Sequence, residues 1–282
     1  MQKAMKLTVL VDNNTLIDRY FYGEPGVSYY IEDGGKAILY DVGYSDAFIV
    51  NAQKLQINLL KLYYLILSHG HLDHTWGLDP LIKMYLEADT SNLSVSPPTI
   101  VAHPRTFYGR PRDWLGESGP LLSKEKVSVS FPIKESTKPV WLTKNLVWLG
   151  SIPLKNDFEC QKPYKKIRIN GKEADDYMED EIALAYKSTK GLVVISACSH
   201  RGICNIIEYA KNVCNEDRVV DVIGGFHLMS PEKEVMKRTV EYFKSLKPSS
   251  VHACHCTDLY SKIALAKEVP LEEVGVGLVL QY

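Results

Sequence analysis

Strand-sized apolar runs and helix-spaced patterns follow one another along the whole chain. Lys6–Val11 is a continuous apolar run that stops at Asp12-Asn13-Asn14, the pattern of a buried strand ending in a turn. Residues 26–32 and 37–42 read as two strands around Asp33-Gly34-Gly35, because glycine accepts the positive φ that a tight hairpin demands. Ser45 is placed to cap a helix running to about Leu60, with Phe48, Ala52, Leu55 and Leu59 on one face. Residues 62–67 form another apolar strand, stopping at Ser68-His69-Gly70-His71-Leu72-Asp73-His74, and 75–87 has helical composition. From 88 to 190, Ser/Thr/Pro/Gly-rich pieces at 91–99 and 109–120 alternate with short apolar runs and a charged stretch at 157–181. That pattern predicts further strands with long loops able to cap a site. Regularity then returns, with strands at 191–197, 219–223 and 250–253, helices at 203–213, 231–246 and 261–267, and a terminal strand at 274–279. Strands and helices mixed throughout predict an α/β fold in a single domain over 1–282, with a loop-rich capping insertion at about 88–180.

Composition narrows the function classes. The longest apolar runs fall far short of the roughly 20 residues that span a bilayer, so no membrane partner is expected. With 33 basic and 34 acidic residues the formal charge is -1, which gives no footprint for nucleic acid. Tyr outnumbers Phe, 17 to 7; the rings sit at half-buried strand positions or line a pocket for a planar ligand. The six cysteines form no CxxC pair and the start lacks the apolar stretch of a secretory signal, so the expectation is a cytoplasmic chain with reduced thiols. Nothing in the pattern fixes an oligomeric state.

His69, His71, Asp73 and His74 put four metal-ligand side chains within six residues, directly after a buried strand. Imidazole and carboxylate suit first-row metals: zinc, with manganese or iron as alternatives. Two such ions need about six protein donors. The further candidates are His200, His227 and His255, each just past an apolar strand. His227 reads as a ligand before a plain loop residue, with supporting a ligand or facing substrate as its alternative roles. His103 reads as structural. Cys198, Cys254 and Cys256 are either thiolate ligands or small apolar side chains. Arg105, Arg110, Arg112, Lys165, Lys166 and Arg168 either grip a phosphate or are scattered solvated charges.

The run Ser68 to His74 resembles the HxHxDH signature of the metallo-β-lactamase superfamily, and Asp41-Val42-Gly43 sits where that family carries a D-x-G turn. The resemblance implies a four-layer αββα sandwich, with His69 and His71 on one metal and Asp73 and His74 on the other. His71, where the diiron oxygen-reducing branch carries Glu, is like the hydrolytic branches. Residues 23–28, 191–205, Gly224-Gly225-Phe226-His227-Leu228 and His255-Cys256-Thr257 narrow the resemblance to one subfamily. It is the group of 7,8-dihydropterin-6-yl-methyl-4-(β-D-ribofuranosyl)aminobenzene-5'-phosphate synthase. Ala197 and Asp258 stand where that group has glycine, and Cys198 where many superfamily members have a bridging Asp. What this implies is a two-metal enzyme whose ligands are His69, His71, Asp73, His74, His200 and His255. Asp73 and His227 are its candidate catalytic residues, Asp73 also orienting the nucleophile. Two cations beside one carboxylate favour a small anionic substrate, a phosphate or pyrophosphate. Transfer from a pterin pyrophosphate is the first expectation, hydrolysis of a phosphoester the second, and a redox or purely structural metal site the third.

Overall fold

Gly34 and Gly35 both take positive φ, 57° and 77°, in a computed structural model of the protein. They close a two-residue turn that pairs Asp33 with Lys36 and sets the register of the strands on either side. The structure describes residues 4–113 and 116–282; residues 1–3, and Trp114 and Leu115 in the expected loop-rich stretch 109–120, lie outside the described residues.

The elements in chain order begin with β1 (Lys6–Val11), β2 (Ser28–Asp33), β3 (Lys36–Tyr40), α1 (Ala47–Lys54) and β4 (Tyr64–Ile66). Then come α2 (Leu72–Thr75), α3 (Leu78–Thr90), β5 (Thr99–Ala102), β6 (Pro111–Arg112), β7 (Gly116–Glu117), α4 (Lys124–Ser130) and β8 (Ile133–Glu135). Next are β9 (Val140–Trp141), β10 (Leu146–Trp148), β11 (Lys165–Ile169), β12 (Lys172–Asp176), β13 (Leu184–Ser188) and β14 (Gly191–Ile195). The chain closes with α5 (Ile203–Cys214), β15 (Val219–Gly225), α6 (Lys233–Leu246), β16 (Ser250–Cys254), α7 (Leu259–Ala266) and β17 (Val279–Gln281).

Two compact units result. The first comprises Met1–Ser136, Lys165–Asp175 and Gly275–Tyr282, the second Thr137–Tyr164 and Asp176–Val274. In the first, a seven-stranded sheet runs β17-β1-β2-β3-β4-β5-β8. Its pairs are antiparallel as far as β3 and parallel from β3 to β8. Phe48 and Ala52 of α1 and Leu81 and Tyr85 of α3 pack in one apolar cluster with Leu39, Leu65 and Ile100. In the second unit a six-stranded sheet runs β16-β15-β14-β13-β10-β9, with parallel pairs from β14 to β16 and antiparallel pairs beyond. Helix α5 presents Ile203, Ile206, Ile207, Ala210 and Cys214, spaced by three and four, to Leu192 and Val194 of β14. Val193 and Ile195, on the other face of β14, are fully buried too. Both faces are covered, hence the unbroken apolar run in the sequence.

Some boundaries differ from the pattern. Helix α1 ends at Lys54 because Gln56 takes φ 58°, and the Leu59–Lys61 stretch is a separate 3₁₀ turn. The helix expected over 75–87 is two, α2 and α3, interrupted at Trp76-Gly77; a side chain on Gly77 would overlap the Val42 carbonyl. The last strand is Val279–Gln281, later than 274–279, because Gly277 turns the chain at φ 90°. Among the described residues no helix is long and apolar enough to cross a membrane.

Candidate metal centre

Both sheets lead their parallel strands into loops that carry the predicted donors, in keeping with the tendency of parallel α/β sheets to place ligand sites at carboxyl ends. In the first unit the loops follow β3 and β4. Asp41, fully buried at φ 58°, leaves β3. Its Oδ1 accepts the Ser68 N–H at 2.7 Å and its Oδ2 accepts the Ser68 hydroxyl at 2.6 Å. The serine proton is thereby committed, so His69 Nδ1, 2.8 Å from Ser68 Oγ, must be the donor in that contact. His74 Nδ1 donates to Asp41 Oδ2 at 2.7 Å. Both imidazoles are thus anchored through Nδ1, which turns their Nε2 atoms toward the other donors of the loop. His69 Nε2 lies 2.9 Å from His71 Nδ1, and His74 Nε2 lies 3.5 Å from Asp73 Oδ2. Burial works against a charge on His74, yet Asp73 and then Asp41 outweigh it and lift the imidazole from 6.5 to about 10. The position is built to stabilise a buried positive charge.

Gly70 does not bend the backbone by a positive φ. It permits close approach: a Cβ there would overlap the Thr106 carbonyl and the Arg110 guanidinium. Arg110 is itself buried and donates to Gly70 O at 3.2 Å, so it braces the donor loop. Lys166 pairs with Asp175, and Arg168 with Glu173, along the β11–β12 hairpin. His103 accepts the Arg105 N–H at its Nδ1, a local structural bond.

In the second unit the loops follow β14, β15 and β16. Ser199, His227 and His255 all take left-handed backbone, at φ 60°, 52° and 48°. Ser199 Oγ donates to Gly225 O at 2.6 Å, which ties the first two loops together. The carboxylate of buried Glu181 receives the backbone N–H groups of His200, at 2.6 Å, and of Arg201. Burial pushes Glu181 up from 4.5 to about 7, against those two hydrogen bonds. Cys198 Sγ lies 3.2 Å from Cys256 Sγ and 3.6 Å from His227 Nδ1. Burial disfavours a thiolate at Cys256, but the Cys198 hydrogen bond and then His255 and His227 drive it well below its usual value. The His200 and His227 rings lie 4.1 Å apart at their centroids, with the Tyr164 ring edge-on to each. They form one wall of a cavity of about 610 Å³ whose lining includes Phe158, Tyr177, Phe226, Leu228 and Arg238.

The donor sets fit a divalent cation. At metal–nitrogen bonds of roughly 2.0–2.1 Å, two coordinated nitrogens stand about 2.9 Å apart at a right angle and about 3.3 Å apart at the tetrahedral angle. The His69–His71 nitrogens have that spacing. In the second unit the ligand atoms of Cys198, His200 and His227, and likewise those of Cys198, His255 and Cys256, lie within 4.8 Å of one another. Asp41, Ser68 and Glu181 were not singled out by sequence as supports of the donors. The D-x-G turn after β3 pointed toward the first; an acidic residue beside the apolar start of β13 was the only trace of the last.

A metallo-β-lactamase superfamily profile matches residues 22–85, the stretch holding Asp41 and the 69–74 donors. The chain is 28% identical over 293 residues to 7,8-dihydropterin-6-methyl-4-(β-D-ribofuranosyl)-aminobenzene-5'-phosphate synthase of Methanocaldococcus jannaschii, covering 99% of this chain and 97% of the relative. An uncharacterized protein of the same organism is 29% identical over 253 residues, 89% of this chain and 90% of its own. Among solved structures, Tm1679, a metal-dependent hydrolase of the β-lactamase superfamily, matches with a TM-score of 0.82 at 28% identity, covering 99% of each chain. The chain therefore has the metallo-β-lactamase fold and is an enzyme similar to members of the metallo-β-lactamase superfamily.

Proposed function

We propose that the chain is a metal-dependent enzyme acting on a small phosphate- or pyrophosphate-bearing molecule. In this reading His69, His71, Asp73 and His74 of the first unit are ligands of divalent cations, and so are His200 and His255 of the second, two ions in all and zinc by preference. The observation that carries it is that Ser68 and Asp41 hold the Nδ1 atoms of His69 and His74, which turns their Nε2 atoms toward His71 and Asp73, the other two donors of the motif. Bound divalent ions supply Lewis-acid stabilisation of charge developing on a departing phosphate oxygen.

The remaining steps belong to the side chains. Full-length similarity to the synthase supports transfer to an amine. As the nitrogen–carbon bond forms and the bond from carbon to the pyrophosphate oxygen breaks, the amine proton passes to an Asp73 carboxylate oxygen. His227 faces the cavity and holds substrate by its ring, and the aromatic walls from Phe158, Tyr164 and Tyr177 suit a flat heterocycle. The cavity volume is within the usual range for small-molecule sites. Six cysteines in such a chain fit the reducing cytoplasm.

Hydrolysis is the second reading, favoured by the TM-score of 0.82 to a hydrolase. It uses the same residues, with water in place of the amine. Metal-loaded protein and an EDTA-treated control, assayed against phosphoesters and against a dihydropterin-methyl pyrophosphate with and without an aromatic amine, separate the two. Pyrophosphate release that requires the amine selects transfer, and phosphate release from esters alone selects hydrolysis. Equal turnover after EDTA treatment would defeat the metal-dependent reading.

A further inference from the structure

We propose that the second unit binds its cation through sulfur, with Cys198 Sγ and Cys256 Sγ as thiolate ligands beside His255. The proposal deepens the metal-dependent reading above and rests on it only in requiring that a cation be bound at His255.

Three observations carry it. The donor atoms of Cys198, His255 and Cys256 all lie within 4.8 Å of one another, and both cysteines are buried. The two sulfurs come from different strand ends, β14 and β16, and meet at 3.2 Å, with Cys256 Sγ also accepting the His227 N–H at 3.2 Å. Gly225, ending the intervening strand β15, keeps the space open: a Cβ there would stand 2.6 Å from Cys256 Sγ and 3.1 Å from His255 Cδ2. Cys214, packed within the apolar cluster around α5, shows what a space-filling cysteine looks like in this fold. Cys198 and Cys256 instead aim two sulfurs at the neighbourhood of an imidazole.

Thiolate with imidazole is a soft donor set, which selects zinc, cobalt(II) or iron(II) over manganese or magnesium. Zinc–sulfur bonds of about 2.3 Å at tetrahedral angles set two sulfurs about 3.8 Å apart. Binding therefore opens the present S–H···S contact by roughly half an ångström, a side-chain adjustment.

The test uses the full chain. Titration with cobalt(II) is expected to give sulfur-to-cobalt charge-transfer absorption in the near ultraviolet. The band weakens in Cys198→Ser and in Cys256→Ser, vanishes in the double variant, and persists in His71→Ala. Each single serine variant should lose more zinc affinity than the roughly 10–100-fold typical of residues that only support a ligand. X-ray absorption at the zinc edge of the unsubstituted protein needs no variant, and is expected to show sulfur at about 2.3 Å. Cobalt or zinc bound with only nitrogen and oxygen neighbours, or a charge-transfer band that survives the double substitution, overturns the proposal and leaves the metal-dependent reading standing. A chain that binds neither metal overturns both.

Discussion

At Asp41 one carboxylate accepts from the Ser68 N–H, the Ser68 hydroxyl and His74 Nδ1. Asn at this position keeps the left-handed backbone, which asparagine tolerates. It replaces one acceptor oxygen by a donor and so disturbs the anchoring of both histidines. Asp41→Asn is expected to weaken zinc binding by about 10–100-fold with the fold retained, read by zinc titration alongside circular dichroism. His71→Ala is expected to abolish turnover while leaving the far-ultraviolet spectrum unchanged; a fully active variant would remove the proposed mechanism. The histidines at 69, 71 and 74 were legible because they crowd into one short loop. Asp41 was visible only as a turn, and Glu181 not at all as a partner of His200. A carboxylate that accepts backbone N–H groups leaves no pattern, since every residue offers the same donor. The Cys198–Cys256 contact joins residues 58 apart, and only the folded sheet brings them together.

Elements were readable where local chemistry decides them. Gly34-Gly35 announced its hairpin, and the spacing of apolar residues in α5 announced its buried face. The break between α2 and α3 was hidden because Gly77 is required by a neighbour remote in sequence, Val42. Gly70 has the same character, so Gly70→Ala is expected to cost roughly 1–3 kcal/mol in chemical denaturation, the range for forcing atoms into a filled site. At the start of α5, Glu159 accepts the N–H groups of Cys204 and Asn205 and the Asn156 amide, yet burial raises its carboxyl above the usual value. A raised carboxyl binds its proton more tightly in the folded chain than in the unfolded one. Its stability contribution is therefore full below the ordinary carboxylate range and is lost as pH rises through the folded value. Relative to Glu159→Gln, the unsubstituted chain should lose denaturation midpoint across that interval; parallel pH profiles for the two would contradict it.

Over the whole molecule, each unit repeats one plan, a sheet that turns from antiparallel to parallel and carries its donors past the carboxyl ends of the parallel strands. That plan explains why a short histidine motif foretold so much of the fold. Ligand-linked stability follows from mass action, so stripping metal with EDTA should lower Tm, and restored zinc should raise it with the logarithm of its concentration. Phosphate or pyrophosphate at millimolar levels is expected to compete with substrate in steady-state inhibition assays, and indifference to both would argue against an anionic substrate. Asp41, Ser199, His227 and His255 hold left-handed backbone at four of the strand tips. Each such bend costs on the order of 1 kcal/mol or more in residues other than glycine. Laboratory evolution toward heat tolerance alone should therefore replace these positions with glycine, and its survivors should be sturdier proteins that have ceased to be catalysts.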